Sequence, residues 1–259
     1  MLKTRVIPTL LWKGPGLVKG VSFDSWRRIG TLLPAVKVYN TREVDELVLV
    51  DISATREGRE PDYESLSEIS AECFVPLTVG GGVNRLDIIR KLLLAGADKV
   101  VINSAAYSEP RLVAEASSRY GSQCIVVGID AKKNPDGGYR CFSHSGTKAE
   151  DCEPVEWAAR MASEGAGEIL LTSIEKDGTM EGYDVELVRQ VSSRVQIPVI
   201  ASGGAGGYKD MEEVLRVGGA SAVAAASIFH FTEQTPLEAK EYLKEKGIHV
   251  RLFGGANGR

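Results

Sequence analysis

The stretch VPLTVGGGVNRLDIIRKLLLAGADKVVIN, residues 75–103, decides the fold. It opens on a short apolar run after Pro76 and turns at Gly80, Gly81 and Gly82. It then enters a segment where Ile88, Ile89, Leu92 and Leu93 recur at helical spacing. Gly96 ends that helix, and a second apolar run follows over residues 100–102. The pattern predicts a strand, a glycine turn, a helix and a parallel strand. Glycines at a strand-to-helix turn let backbone N–H groups approach an anion, and a helix start favours negative charge. Glycine also serves tight turns with no ligand, so this motif alone is a weak signal.

An echo strengthens it. From Ile197 the chain reads IPVIASGGAGGYKDMEEVLRVGGASAVAAASIF. Pro76 matches Pro198, Gly81 and Gly82 match Gly203 and Gly204, and Gly96 matches Gly218, at one offset of about 120 residues. VDELVLVDI (44–52) matches AGEILLTSI (166–174) at the same spacing, with Glu46 against Glu168. The chain reads as two copies of one half, each holding four strand–helix units. Eight such units predict an α/β fold, a single (β/α)8 TIM barrel of two similar half-barrels, with its chemistry at the strand C-termini.

The 259 residues suit one such domain, expected over 1–252 with a flexible tail over 253–259. With 31 basic against 35 acidic residues, the charge gives no footprint for nucleic acid or a membrane surface. Four cysteines lack CxxC spacing, and no signal peptide or long apolar span is read, so a cytoplasmic protein with free thiols is expected. Three histidines, none in a ligand-spaced pair, give little support for a metal site. No cofactor is expected.

Taken in order, strands are predicted at residues 5–11, 46–52, a run ending at Gly80, 99–103, 124–130, 168–173, 199–202 and 222–225. A glycine-rich loop carrying Lys13 and Lys19 follows the first strand and reads as a lid. Residues 53–63, SATREGREPDY, read equally as a solvated loop or a ligand entrance. The polar insertion 132–151 carries a turn signal at NPDGG, with residues 139–142 as one arm of a hairpin.

The strand ends bring candidate residues to one face: Asp51, Asn103, Asp130, Thr172, Ser202 and Ser227. One donor cluster holds Gly81, Gly82, Asn103 and Ser104; the other holds Asp177, Gly178, Gly203, Gly204, Ala226 and Ser227. Both suit phosphate, and a pair across the mouth suits a substrate phosphorylated at each end. Asp130 ends an apolar strand, where desolvation raises a carboxyl pKa into the range of a general acid or base. Its alternatives are an N-cap or a salt bridge to Lys132. Leu11 occupies the equivalent place on the first strand and cannot move a proton. Arg5, Glu46, Lys99 and Glu168 precede apolar runs and should form an alternating ring at the opposite mouth, either for stability or as a gate.

VDELVLVDI, TVGGGV, GADKVVIN, GIDAKK, GAGEILLTSI, DGT, GYD, IPVIASGGAG and the closing VRL resemble the cyclase subunit of imidazole glycerol phosphate synthase, from residue 2 to about residue 252. The resemblance implies a two-phosphate substrate at the C-terminal face. It also implies a glutaminase partner on the N-terminal face that sends ammonia up the barrel axis. Asp130 matches one of the family's two catalytic aspartates, and Leu11 departs from the other. Gly82, Asn103, Ser104, Asp177, Gly178, Gly204, Ala226 and Ser227 match phosphate-site positions, and Lys19, Asp51, Thr172 and Ser202 belong to the same substrate face. Arg5, Glu46, Lys99 and Glu168 match the ammonia gate, and Asp98 matches a glutaminase-docking position.

The stretch VDELVLVDISATREGREPDYESL, with PTLLWK at the first strand's end, resembles a branch of cyclase-like proteins linked to acetamidino-sugar formation in surface polysaccharides. That resemblance implies ammonia supply to a third, sugar-amidating subunit, a task that does not need the aspartate that Leu11 replaces. The alternatives are the histidine-pathway cyclase itself, slowed by Leu11, and a non-catalytic scaffold that binds a bisphosphate.

Overall fold

The computed structural model describes residues 3–252; the tail expected over 253–259 lies outside the described residues. Strand β1 (Arg5–Lys13) runs into a hairpin of β2 (Gly16–Val21) and β3 (Asp24–Gly30). Strands β4 (Leu47–Asp51), β5 (Leu77–Gly80), β6 (Lys99–Ile102) and β7 (Ile125–Lys133) follow. Then come a second hairpin strand β8 (Tyr139–Ser143), the short β9 (Lys148–Ala149), β10 (Glu168–Ser173), β11 (Val199–Ser202) and β12 (Ala222–Ala225). The parallel order β1-β4-β5-β6-β7-β10-β11-β12 returns to β1, so eight parallel strands close into a barrel. With helices between the strands this is the (β/α)8 architecture.

Alternation along the strands builds two cores. Inward residues Ile7, Val48, Val101, Val126, Leu170 and Ile200 meet inside the barrel with Ala222 and Ala224. Their outward neighbours Val6, Leu47, Leu49, Val100, Val127 and Ile169 pack under the helices. Among the described residues eleven helices surround the sheet: α1 (Leu32–Thr41), α2 (Ala54–Glu57), α3 (Tyr63–Ala71), α4 (Leu86–Leu94), α5 (Ser104–Ser108), α6 (Arg111–Tyr120), α7 (Pro154–Ser163), α8 (Val185–Arg194), α9 (Tyr208–Arg216), α10 (Ser227–Phe231) and α11 (Pro236–Glu245). Ile88, Ile89 and Leu92 are the buried stripe of α4, as their spacing predicts. Local chemistry sets the helix starts. Asp62 and Asp184 accept from the backbones of Ser65 and Leu187, and Thr235 forms a capping box with Glu238.

The stretch after the first strand is a correction. Instead of a glycine-rich loop, β1 extends to Lys13 and β2 returns antiparallel to it, with Leu11 opposite Val18. The hairpin is fastened over the barrel mouth: Ser22 N donates to Asp177 O at 2.8 Å, and buried Lys19 bonds both Asp177 oxygens at 2.7 and 2.9 Å. At Gly178 (φ +78°) a Cβ would lie 2.2 Å from Gly20 O, so only glycine allows this approach.

Lys19→Met is expected to leave Asp177 desolvated and unpaired, at a cost of about 3–5 kcal/mol. Hydrogen exchange should then speed up over residues 16–30 while β4 to β7 stay protected. Unchanged exchange would mean that the backbone ladder alone holds the hairpin.

Candidate active site

The C-terminal ends of the barrel strands surround one cavity of about 370 Å³. Leu11 and Asp130 line it from opposite sides, since β1 and β7 lie four strands apart around the barrel. Gly82, Asn103 and Ser104 line one end, and Gly178, Gly204, Ala226 and Ser227 another. Lys19, Asp51, Thr172, Asp177 and Ser202 complete the wall, so the upper-face residues singled out from sequence converge on a single chamber. The cavity exists because strand positions facing it are small: Gly128 and Ala224 carry little or no side chain. Adding a Cβ at Gly128 would press it against Val101 at 3.0 Å.

Three carboxylates face the chamber, in unlike states. Asp51 accepts from Ser53 N, Ser53 Oγ and Ala54 N at 2.9–3.0 Å and pairs with Arg59 at 2.7 Å. It therefore caps the turn into α2 and anchors Arg59 at the rim. Asp177 is held by Lys19. Among the described residues, Asp130 receives one side-chain hydrogen bond, from Asn103 Nδ2 at 2.9 Å, and its carboxyl forms no ion pair, with Lys132 or any other cation. Burial pushes its carboxyl up to about 7; the Asn103 amide partly offsets this, and the nearby Asp177 charge adds to it. A carboxyl poised there exchanges protons at neutral pH, the condition for a general acid or base.

The glycines serve the fold as well as any ligand. Gly82 (φ +70°) donates its N–H to Thr55 Oγ1 at 3.2 Å, and a Cβ on Gly204 (φ +108°) would lie 2.1 Å from Gly182 O. Both are required as glycine by backbone geometry alone. The polar atoms are more informative. Thr9 Oγ1, Asn103 Oδ1 and Ser227 Oγ are buried, line the chamber and have no hydrogen-bond partner. Buried polar groups are costly without one, and a polar ligand at this place would satisfy them. Asn103 and Ala226 precede α5 and α10 without a side-chain cap, leaving first-turn N–H groups open to such a ligand.

At the other end of the barrel, four charges close a ring. Arg5 bonds Glu46 at 2.6 Å and Glu168 at 3.0 Å; Lys99 bonds the same two carboxylates at 2.9 and 3.1 Å. Thr78 Oγ1 donates to Glu46 at 2.6 Å. The ring expected from strand starts is thus formed, below the apolar layer of Ile7, Val48, Val101 and Leu170. Asp98 stands exposed beside it, one oxygen accepting from Leu77 N at 2.8 Å.

The chamber also contains residues that the sequence did not mark. Phe23 and Trp26 reach it from the β2–β3 hairpin, and His144 and Ser145 from the turn after β8. Thr9 was hidden inside an apolar strand. Residues 139–142 had a sequence signal in the NPDGG turn before them; GLVKGV at 16–21 does not alternate, and nothing local marks where either arm folds back.

The raised Asp130 carboxyl gives a signed prediction. The folded protein holds this proton more tightly than the unfolded chain, so Asp130 makes stability fall as pH rises from about 4 to about 7. Asp130→Asn removes that loss. Its stability gain in urea unfolding should be small near pH 4 and reach on the order of a few kcal/mol at pH 8. A gain independent of pH would contradict the raised value.

Residues 5–235 match the family model described as histidine biosynthesis protein, and the chain belongs to that family of enzymes.

Proposed function

We propose that this chain is the cyclase-like subunit of a glutamine amidotransferase complex. It receives ammonia from a glutaminase docked on the N-terminal face, beside Asp98. The nitrogen serves acetamidino-group formation on a surface-polysaccharide sugar, together with a third, sugar-amidating subunit. A small phosphorylated ligand occupies the upper chamber, held by the clusters around Asn103–Ser104 and Ala226–Ser227.

One observation carries this reading: the charged ring is complete while the chamber has a single proton-exchanging carboxylate. Asp51 and Asp177 are committed to Arg59 and Lys19, and Leu11 stands across from Asp130. A barrel that transmits ammonia needs a polar gate. A barrel that closes an imidazole with two aspartates needs an acid at position 11. Supporting the same reading, an apolar layer could close the barrel at no loss of stability, so four charges in that place favour a task for them.

The family match favours a second reading, the imidazole glycerol phosphate synthase cyclase of histidine biosynthesis, since the phosphate-site positions all line the chamber. Loss of a general acid or base typically costs 10²–10⁴-fold, so Leu11 would make that enzyme slow.

A cyclase assay with saturating ammonium and the family's aminoimidazole-carboxamide bisphosphate separates the two. The expected result is no turnover by the folded protein and a measurable rate for Leu11→Asp; robust wild-type turnover would promote the histidine-pathway reading. In the complex with glutaminase, Lys99→Ala is expected to uncouple glutamine hydrolysis from product. Normal coupling would remove the gate.

A further inference from the structure

The chamber wall also holds an imidazole, that of His144. The hairpin after β7 folds back so that Phe142 pairs with Asp130 and the turn beginning at His144 comes down on the barrel mouth. His144 N donates to Ser104 Oγ at 3.0 Å, and Ser145 Oγ donates to Ile52 O at 2.7 Å, tying the turn to the rim beyond β6 and beyond β4, on either side of β5. His144 and Ser145 sit at φ +53° and +56°, a left-handed conformation that non-glycine residues avoid unless their surroundings hold them.

The imidazole has a defined environment. Buried Ser143 Oγ lies 2.5 Å from Glu150 Oε1 and 2.8 Å from His144 Nδ1. Burial pushes the Glu150 carboxyl up, but the Ser143 hydroxyl and the Lys148 ammonium, 3.0 Å away, outweigh it and hold Glu150 below the usual range. Ionised, Glu150 can only accept, so Ser143 has committed its proton there. Nδ1 must then donate to Ser143 Oγ. That fixes the tautomer: Nδ1 carries the hydrogen and Nε2 keeps a free lone pair.

We infer that His144 Nε2 is the proton acceptor of the chamber, held in that tautomer by Ser143 and Glu150 as positioning residues, and partners Asp130 in place of a carboxylate at position 11. The inference rests on ammonia reaching the chamber and adding there to an unsaturated carbon of the bound ligand. The ammonia lone pair forms the new C–N bond, and the π pair of the attacked carbon moves to its heteroatom. Protonated Asp130 supplies a proton to that heteroatom, and Nε2 takes one from the new ammonium nitrogen. The resulting imidazolium is stabilised through Ser143 by the Glu150 charge. Proton return from His144 to Asp130 through solvent resets the pair, so atoms and charge balance.

Two readouts test it. The first is ¹⁵N NMR of the imidazoles in the full chain, which needs no ligand. His144 is expected as the Nδ1–H tautomer, moving toward Nε2–H in Ser143→Ala; an Nε2–H wild type overturns the inference. The second is nitrogen transfer by the assembled complex. His144→Gln is expected to lower kcat by about 100-fold or more with KM nearly unchanged and glutaminase turnover intact. A kcat within about twofold of wild type overturns it. If the wild-type complex transfers no nitrogen, the ammonia reading itself fails, and the tautomer alone upholds or overturns the His144 assignment.

Discussion

Four charges at the base of the barrel, Arg5, Glu46, Lys99 and Glu168, are the constraint around which the rest is arranged. Glu46 is almost wholly buried and the other three are shielded, yet the shortest contact of each ion pair is between 2.6 and 3.1 Å. Removing water from such a set costs several kcal/mol per ion, and mutual attraction returns this only when the geometry is good. Here it is good because Arg5, Lys99 and Glu168 open their strands and Glu46 immediately precedes β4, which sets two cations between two anions. The ring can exist only if strand order and register are right, so it reports on the closure of the whole barrel. An apolar layer would close the base equally well, which makes the charged choice costly for a purely structural plug.

Above that layer the barrel changes character. Bulky inward side chains give way to Gly128 and Ala224, and the space they leave becomes part of the chamber. Its walls divide the charged groups into committed and free. Lys19 and Arg59 are occupied by Asp177 and Asp51, which pins the β2–β3 hairpin and the α2 turn over the mouth. Asp130 is left with an amide for company, and its proton affinity follows from that isolation. The unpartnered Thr9, Asn103 and Ser227 atoms mark where a polar ligand would complete the structure. Positioning, acid–base capacity and the polar base of the barrel are thus separate layers of one axis.

Much of this was legible in the sequence, for a definite reason. Parallel strands buried on both faces read as apolar runs, and β10, β11 and β12 span the residues expected of them. Duplication supplied the strand count, and charges next to apolar runs revealed the ring. The hairpins were harder. The turn joining β2 to β3 places Ser22 and Phe23 at φ +50° and +62°, and the turn after β8 uses His144 and Ser145 in the same way. Such turns normally announce themselves through Asn-Gly or Asp-Gly. Here tertiary contacts hold ordinary residues in the left-handed region, so the local signal is missing. Ligand spacing does not mark His144, whose place in the chamber depends on a fold-back that spacing does not record.

The most direct measurement follows the nitrogen atom itself. The complete complex would be supplied with glutamine labelled with ¹⁵N in the side-chain amide, against excess unlabelled ammonium, and the isotope in the product read by mass spectrometry. Passage through the barrel predicts a product carrying label far above its share of total ammonia. Label diluted to the level of the bulk pool would mean that ammonia escapes to solvent before use, and would contradict the account.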